Sequence, residues 1–445
     1  MKGIPGPKPS FPVGNLPELI GKEWPWEVCA RMGSTYGGIT LIWLFGKPAI
    51  MLNDPDLIEE VLCTNWEDYY KDAPCQALCP VITRNSLFIT NPPQWKPTRE
   101  ADALSLPHID QWLAAQVSPL GKVLRGWIAA LVEKSQKEPI DLYADIQRLS
   151  FDAFAMAFWG YTLEEKYYEW FRTLADMGSK RITSMLTAIP PMNPRFYRQR
   201  NYWYRDFTAM IRTARAASNG DSSGLLQFAL RNGIKMSDED LAQSLATNFF
   251  GGVFSCSSTV ISALYLLALH ADEEAKLVSA VDSDLPAEYD FAQLNGCQSL
   301  DYVMREAMRY YPAVPLYFRN SAKTKEVKLG NHTLPKNTLI FISNWWLHKM
   351  APHWDAPEKF RPDRWGDGMA EQNPIGSGYF FPFGRGPRMC IGSDFAVFFI
   401  KQLLASIYRD VSVELDASQK FKQSFYFGVM IPQGLQARFR KRQRD

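Results

Sequence analysis

Residues 237 to 271 constrain the fold more than any other stretch of the chain. Ser237-Asp238-Glu239-Asp240 opens the segment with a helix cap and acids in the first turn. From Phe249 to Leu269 nearly every position is apolar. A helix that is apolar all round must be enclosed, so this one is expected to cross the centre of a large helical body. Gly251 and Gly252 interrupt it. Each glycine costs a helix about 1 kcal/mol against alanine, which points to a close approach of another group or to a kink.

The remaining patterns fit such a body. Trp112 to Lys134, Leu142 to Trp159, Glu164 to Leu186 and Tyr202 to Ala217 read as helices. Ile189-Pro190-Pro191-Met192-Asn193-Pro194 breaks the run, as a lid or as a rigid connector. Ile39 to Leu52 reads as two strands around Gly46-Lys47, and Asp54-Pro55 opens a helix that reaches Cys63. Beyond residue 313, Val327-Lys328-Leu329 and Leu339-Ile340-Phe341-Ile342 read as short strands among turns, and helix returns from Phe395 to Arg409. The expected fold is mainly α with a small β-rich portion (α+β). It forms one domain over residues 1–445, with residues 1–20 as a proline-rich lead-in.

Charge and cysteine usage exclude several function classes. Lys and Arg number 49 against 47 Asp and Glu, a net charge of +2, which gives no electrostatic case for nucleic acid. No uninterrupted run of about eighteen apolar residues is present, so the chain reads as a soluble, cytoplasmic monomer. Seven scattered cysteines, Cys75 and Cys79 among them, suit free thiols in a reducing compartment. The five histidines show no zinc-binding spacing.

The chemistry lies in Phe383-Gly384-Arg385-Gly386-Pro387-Arg388-Met389-Cys390-Ile391-Gly392. A single cysteine between glycines is how a loop presents one thiolate to a haem iron. Glycine lets backbone approach a flat macrocycle and turn N–H groups toward sulfur. Arg388 is expected to favour thiolate over thiol and to reach a haem carboxylate, and Phe383 to pack over the sulfur. A thiolate ligand pushes electron density into iron and favours O–O cleavage. Upstream, Glu306 and Arg309 share a helical face, and Pro357-Glu358-Lys359-Phe360-Arg361-Pro362-Asp363-Arg364-Trp365 lies between that helix and the cysteine.

Taken together, these motifs resemble the cytochrome P-450 family of haem-thiolate monooxygenases, and the resemblance spans the whole chain. It implies haem b with Cys390 as its axial ligand and Phe383, Gly386 and Gly392 shaping the loop. It implies Trp95, Arg99, Arg319 and Arg388 at the haem carboxylates, and Glu306, Arg309 and Arg364 as a structural ion group. Electrons come from a separate ferredoxin or flavin reductase, which Arg385, Lys401 and Arg409 could greet. On the central helix relatives read Ala/Gly-Gly-x-acid-Thr-Thr. Here Gly252 is kept, the acid position is Phe254 and the threonine position is Ser255, with Thr259 one turn on as a substitute donor.

Phenylalanine moves no proton. The expected activity is oxidation of a hydrophobic or aromatic small molecule by dioxygen. The alternative is an atypical haem-thiolate enzyme (peroxide-using, isomerase, dehydratase or oxidative coupling), and the third option is a non-catalytic ligand-binding protein. Phe88, Phe250, Val314 and Leu316, with Phe427-Gly428-Val429, are expected to wall the pocket, Phe250 and Phe254 narrowing the space over the iron.

Overall fold

A computed structural model describes residues 1, 3–20, 23–71, 86–183, 194–216, 223–351, 353–376, 378–416, 418–426 and 428–443. Cys75, Cys79, Phe427 and residues 189–193 of the proline-rich break lie outside the described residues.

The central helix runs Asp238–Leu269, about 48 Å at 1.5 Å per residue. Ser237 Oγ caps it by accepting the Asp240 N–H at 3.1 Å. Helices Leu142–Trp159, Pro194–Ala216, Gln298–Tyr310 and Ser393–Asp410 pack around it, with the strand Val429–Gln433. It is long and apolar enough to cross a membrane, but its most apolar window is 72% buried inside the protein, as for a core helix. Gly252 shows why the packing is close. A Cβ there would lie 2.2 Å from the Phe154 ring of helix Leu142–Trp159. That ring in turn meets Phe395 and Phe399 edge-on at 5.0 and 4.9 Å. The other glycine, Gly251, would meet nothing within 4 Å.

Helix Leu142–Trp159 begins where the Asp141 carboxylate accepts the Ala144 N–H and ends at Gly160, φ +82°. The helix expected from Trp112 spans Ile109–Lys137 and continues through Pro119. Its packed face outweighs the missing N–H. The helix expected to reach Cys63 is α only over Pro55–Glu59 and widens into a π turn over Glu60–Thr64.

A five-stranded sheet lies beside the helical body in the order 39–44, 47–52, 339–342, 317–321, 69–70. Strand 47–52 pairs parallel with 339–342, Ile50 opposite Ile340, and the other pairings are antiparallel. The lead-in is tied to this sheet, since Leu41 N–H donates to Pro5 O at 2.8 Å. A second sheet joins 140–141, 436–441 and 411–415. Two hairpins, 327–334 and 422–433, complete the β portion.

Candidate functional site

The cysteine loop is shaped by backbone that only glycine adopts easily. Gly384 and Gly386 have φ of +75° and +71°. A Cβ on Gly386 would lie 2.2 Å from Leu62 O, so the loop presses on the π turn at 60–64. A 3-10 turn, Gly386–Arg388, then reverses the chain, and Cys390 N–H donates to Phe383 O at 2.9 Å. The loop is held from outside as well. Tyr317 donates its hydroxyl to Pro382 O at 2.9 Å, and Arg99 donates to Met389 O at 2.5 Å.

Cys390 is exposed. Burial pushes the thiol up, while the Gly392 N–H, then Arg99 and Lys71, favour the thiolate. Arg388, expected in that role, is placed otherwise. It is buried, donates to Tyr69 O at 3.1 Å and stacks on Trp66 and Trp95, 5.3 and 5.7 Å from the ring centres. Trp95 and Arg99 share the helix Trp95–Ala101, so Trp95, Arg99 and Arg388 come together beside the loop. Arg319 is buried on strand Tyr317–Ser321, two residues from Tyr317. An accessible thiol, an N–H at its sulfur and arginines alongside fit a haem with its two carboxylates.

Beneath the loop, Glu306, Arg309 and Arg364 are brought together. Glu306 and Arg309 are both fully buried. Glu306 accepts from Arg309 Nη2 at 2.8 Å and Nε at 2.9 Å, from Arg364 Nε and Arg361 N–H at 2.9 Å, and from Trp365 Nε1 at 3.0 Å. Arg309 Nη1 donates onward to His348 O at 3.0 Å. His348 Nε2 accepts the Phe381 N–H at 3.2 Å, two residues before Phe383. Burial, helped by Arg309, lowers His348 to about 3, so its ring is neutral.

On the central helix the expected roles separate by angle. Ser255 Oγ donates to Gly251 O at 2.7 Å, and Gly251 is exposed. Thr259 Oγ1 donates to Ser255 O at 3.0 Å and is buried. Phe254 points away from Ser255 and stacks on Phe171 at 4.7 Å and 11°. Phe250 also stacks on Phe171, at 4.8 Å. Both are buried in this aromatic core, which corrects the expectation that they narrow the space over the iron.

Other expectations need correction too. Leu316 is buried with Trp26, Met51 and Phe341 in a core cluster. Phe88 is 43% exposed and Val314 half-buried. Lys401 is buried, bonded to Asn295 O, so it greets no partner. Arg385 pairs with Glu59, and Arg409 donates to Leu285 O. Sequence reasoning missed Lys71, which pairs with Asn91, and Asp102, which Ser244 and Asn248 reach from the central helix.

Comparison with known proteins gives one family. Residues 4–439 match the Cytochrome P450 profile. The chain is 27% identical to Cytochrome P450 3A9 of Rattus norvegicus over 93% of this chain and 86% of the relative. It is 26% identical to Lithocholate 6-beta-hydroxylase of Mesocricetus auratus over the same shares. It is 27% identical to Protein LUTEIN DEFICIENT 5, chloroplastic, of Arabidopsis thaliana over 82% of this chain and 65% of the relative. A profile match over nearly the whole length, on a chain whose cysteine loop and buried ion group are built as described, places it: the chain belongs to the cytochrome P450 family.

Proposed function

We propose that Cys390 is the axial ligand of haem b. The substrate in this reading is a neutral, hydrophobic or aromatic small molecule, and electrons come from a separate ferredoxin or flavin reductase. Family membership makes the protein a haem-thiolate monooxygenase, an oxidoreductase that uses molecular oxygen. The observation that carries the ligand assignment is the exposed Cys390 thiol, met by the Gly392 N–H in a loop shaped by Gly384 and Gly386.

When bound, a thiolate-ligated haem supplies the activation of dioxygen. The chain's own residues bind and orient around that chemistry. Gly392 N–H, Arg99 and Lys71 favour negative charge at Cys390 Sγ. Arg99 and Arg388 are the cations that carboxylates in a buried edge need, with Arg388 held flat by Trp66 and Trp95. The Glu306 group, through Arg309, His348 and Phe381, fixes where the loop begins. Ser255 holds its proton against Gly251 O, on the face of the helix that is open. Phe254, stacked in the aromatic core, moves no proton.

A neutral apolar substrate is supported by Phe88 and Val314, which are apolar and partly exposed, with Lys71 over the Phe88 ring at 5.4 Å. The test is the absorption spectrum of the reduced carbon monoxide complex. A strongly red-shifted Soret band is expected in the native protein and its loss in Cys390→Ala; an ordinary haem band in the native protein would sink the assignment. Turnover is expected to require both dioxygen and reductant.

A further inference from the structure

Four hydroxyl side chains stand close together on the central helix, and one of them leaves it. Ser255 Oγ donates to Gly251 O, Ser257 Oγ to Val253 O and Thr259 Oγ1 to Ser255 O, each one turn back in the same helix. Ser258 has Phe254 at the same offset. Its Oγ instead donates to Met430 O at 2.5 Å, 172 residues away on strand Val429–Gln433. Ser258 is 1% exposed and Met430 fully buried, so water does not compete for this bond.

Met430 is a junction. Its C=O accepts from Ser258, and its N–H donates to Ala313 O at 2.7 Å. Both groups turn out of the hairpin 422–433, in which Met430 lies opposite Phe425. Val429 precedes Met430, and Val314 follows Ala313. Val429 is 6% exposed and Val314 half-buried, and both pack against the helical core. Ser255 lies three residues before Ser258, about 5 Å along the axis and about 60° round it. Beyond Ala313, Tyr317 holds the start of the cysteine loop at Pro382 O, and the four residues between reach at most about 14 Å. One short path therefore runs from Ser255 through Ser258, Met430 and Ala313 to the loop of Cys390, with Val429 and Val314 beside it. The other strand of the hairpin is held elsewhere, by Trp26 Nε1 on Gln423 Oε1 at 3.1 Å and by Phe421 stacked on Tyr311 at 4.0 Å. Both contacts lie farther from the turn at Gly428 than Met430 does.

We propose that Ser258 is a positioning residue for substrate selection: through Met430, its hydroxyl fixes how far Val429 and Val314 stand into the space where an apolar substrate meets the haem. The proposal rests on the haem-thiolate and apolar-substrate readings above. Without the hydroxyl, the Met430 carbonyl is left buried and lacks that donor, which the strand relieves by moving off the helix. The valine walls move with it, while Arg99 still holds the cysteine loop at Met389 O.

Ser258→Ala in the ferric, haem-loaded protein tests this with two ligands that bind iron through the same kind of ring nitrogen. Imidazole is small, whereas N-phenylimidazole carries a second ring that has to fit between the walls. Both affinities are read from the shift of the Soret band. N-phenylimidazole is expected to bind about fivefold more weakly, the net effect of one buried hydrogen bond, with imidazole within about twofold of native. The reduced carbon monoxide spectrum is unchanged. Hydrogen exchange on peptides spanning residues 428–433 is expected to speed up, and Ser258→Thr, which keeps a hydroxyl, to restore exchange and affinity in part. Unchanged exchange in Ser258→Ala overturns the tie. Faster exchange with native affinity for N-phenylimidazole overturns the selective role, as does equal weakening of both ligands, which would make Ser258 merely structural. Val429→Ala leaves the Ser258 hydroxyl in place and is expected to weaken N-phenylimidazole as well; native affinity there overturns the proposal whatever the fate of Ser258→Ala. An ordinary haem band in the native carbon monoxide complex would instead overturn the haem-thiolate reading, and a native protein that binds imidazole but not N-phenylimidazole would overturn the apolar one, while peptide exchange reads the tie in either case.

Discussion

Glu306→Gln is the substitution whose cost the structure defines best. The side chain is fully buried and accepts five N–H donors, four of them from arginine or tryptophan side chains and one from the Arg361 backbone. Glutamine keeps the volume but removes the charge and turns an NH₂ group toward donors. Arg309, also fully buried, and Arg364 then lose their shared counter-ion. Breaking one side of a buried ion group costs about 3–5 kcal/mol, because the remaining charge has left water without compensation. The backbone carbonyls of His348, Pro357 and Lys359 still accept from Arg309, so the lower half of that range applies, about 3 kcal/mol. Domains are stable by about 5–15 kcal/mol, so this is a large fraction of the whole.

The loss should not stay local. Arg309 holds His348 O, His348 Nε2 holds Phe381 N–H, and Phe381 precedes the cysteine loop. Urea unfolding of the haem-loaded variant, read by circular dichroism, should show the stability loss. The reduced carbon monoxide spectrum should show a growing share of ordinary haem band at urea concentrations the native protein tolerates. A variant within 1 kcal/mol of native stability and with an intact thiolate band would refute both the charge argument and the coupling to the loop.

Further outcomes follow from the same packing. Gly252→Ala, whose Cβ would lie 2.2 Å from the Phe154 ring, should lose about 1–3 kcal/mol by overpacking, whereas Gly251→Ala, in open space, should gain up to about 1 kcal/mol in helix propensity in the haem-free protein; comparative urea midpoints decide. His348 is about 3 in the folded protein against about 6.5 unfolded, so its contribution is complete above pH 6.5 and is lost as pH falls from there toward 3. Native stability should drop by up to about 4 kcal/mol across that window, and His348→Gln should flatten the drop, read as urea midpoints at stepped pH. Phe171→Ala, which removes the ring stacked on Phe250 and Phe254, should cost about 3–5 kcal/mol while leaving the carbon monoxide spectrum of the folded protein unchanged.

What the sequence made legible is what local physics decides. The central helix is readable because its cap at Ser237 and its all-round apolar surface are properties of one segment. Gly384 and Gly386 are readable because the cysteine loop needs left-handed backbone at both. Glu306 and Arg309 sit one helical turn apart, so their pairing is local as well. The aim of a side chain is a different matter. A helical wheel separates Phe254 from Ser255 by about 100°, but which of them faces the cofactor depends on where Phe171 and Phe154 arrive from. The same limit governs charge. Lys401 reads as a surface lysine until Asn295 O and Asp301 meet it inside the protein. Asp102 stands out in no local pattern, and Ser244 and Asn248, more than 140 residues away, close around it. Charges that end up buried carry no local signature, because the groups that make their burial tolerable come from elsewhere in the chain. In this protein the consequence is specific. The position at which the resemblance implies an acid holds Phe254, and the carboxyl that reaches the central helix, Asp102, comes from a segment that was read only for Trp95 and Arg99.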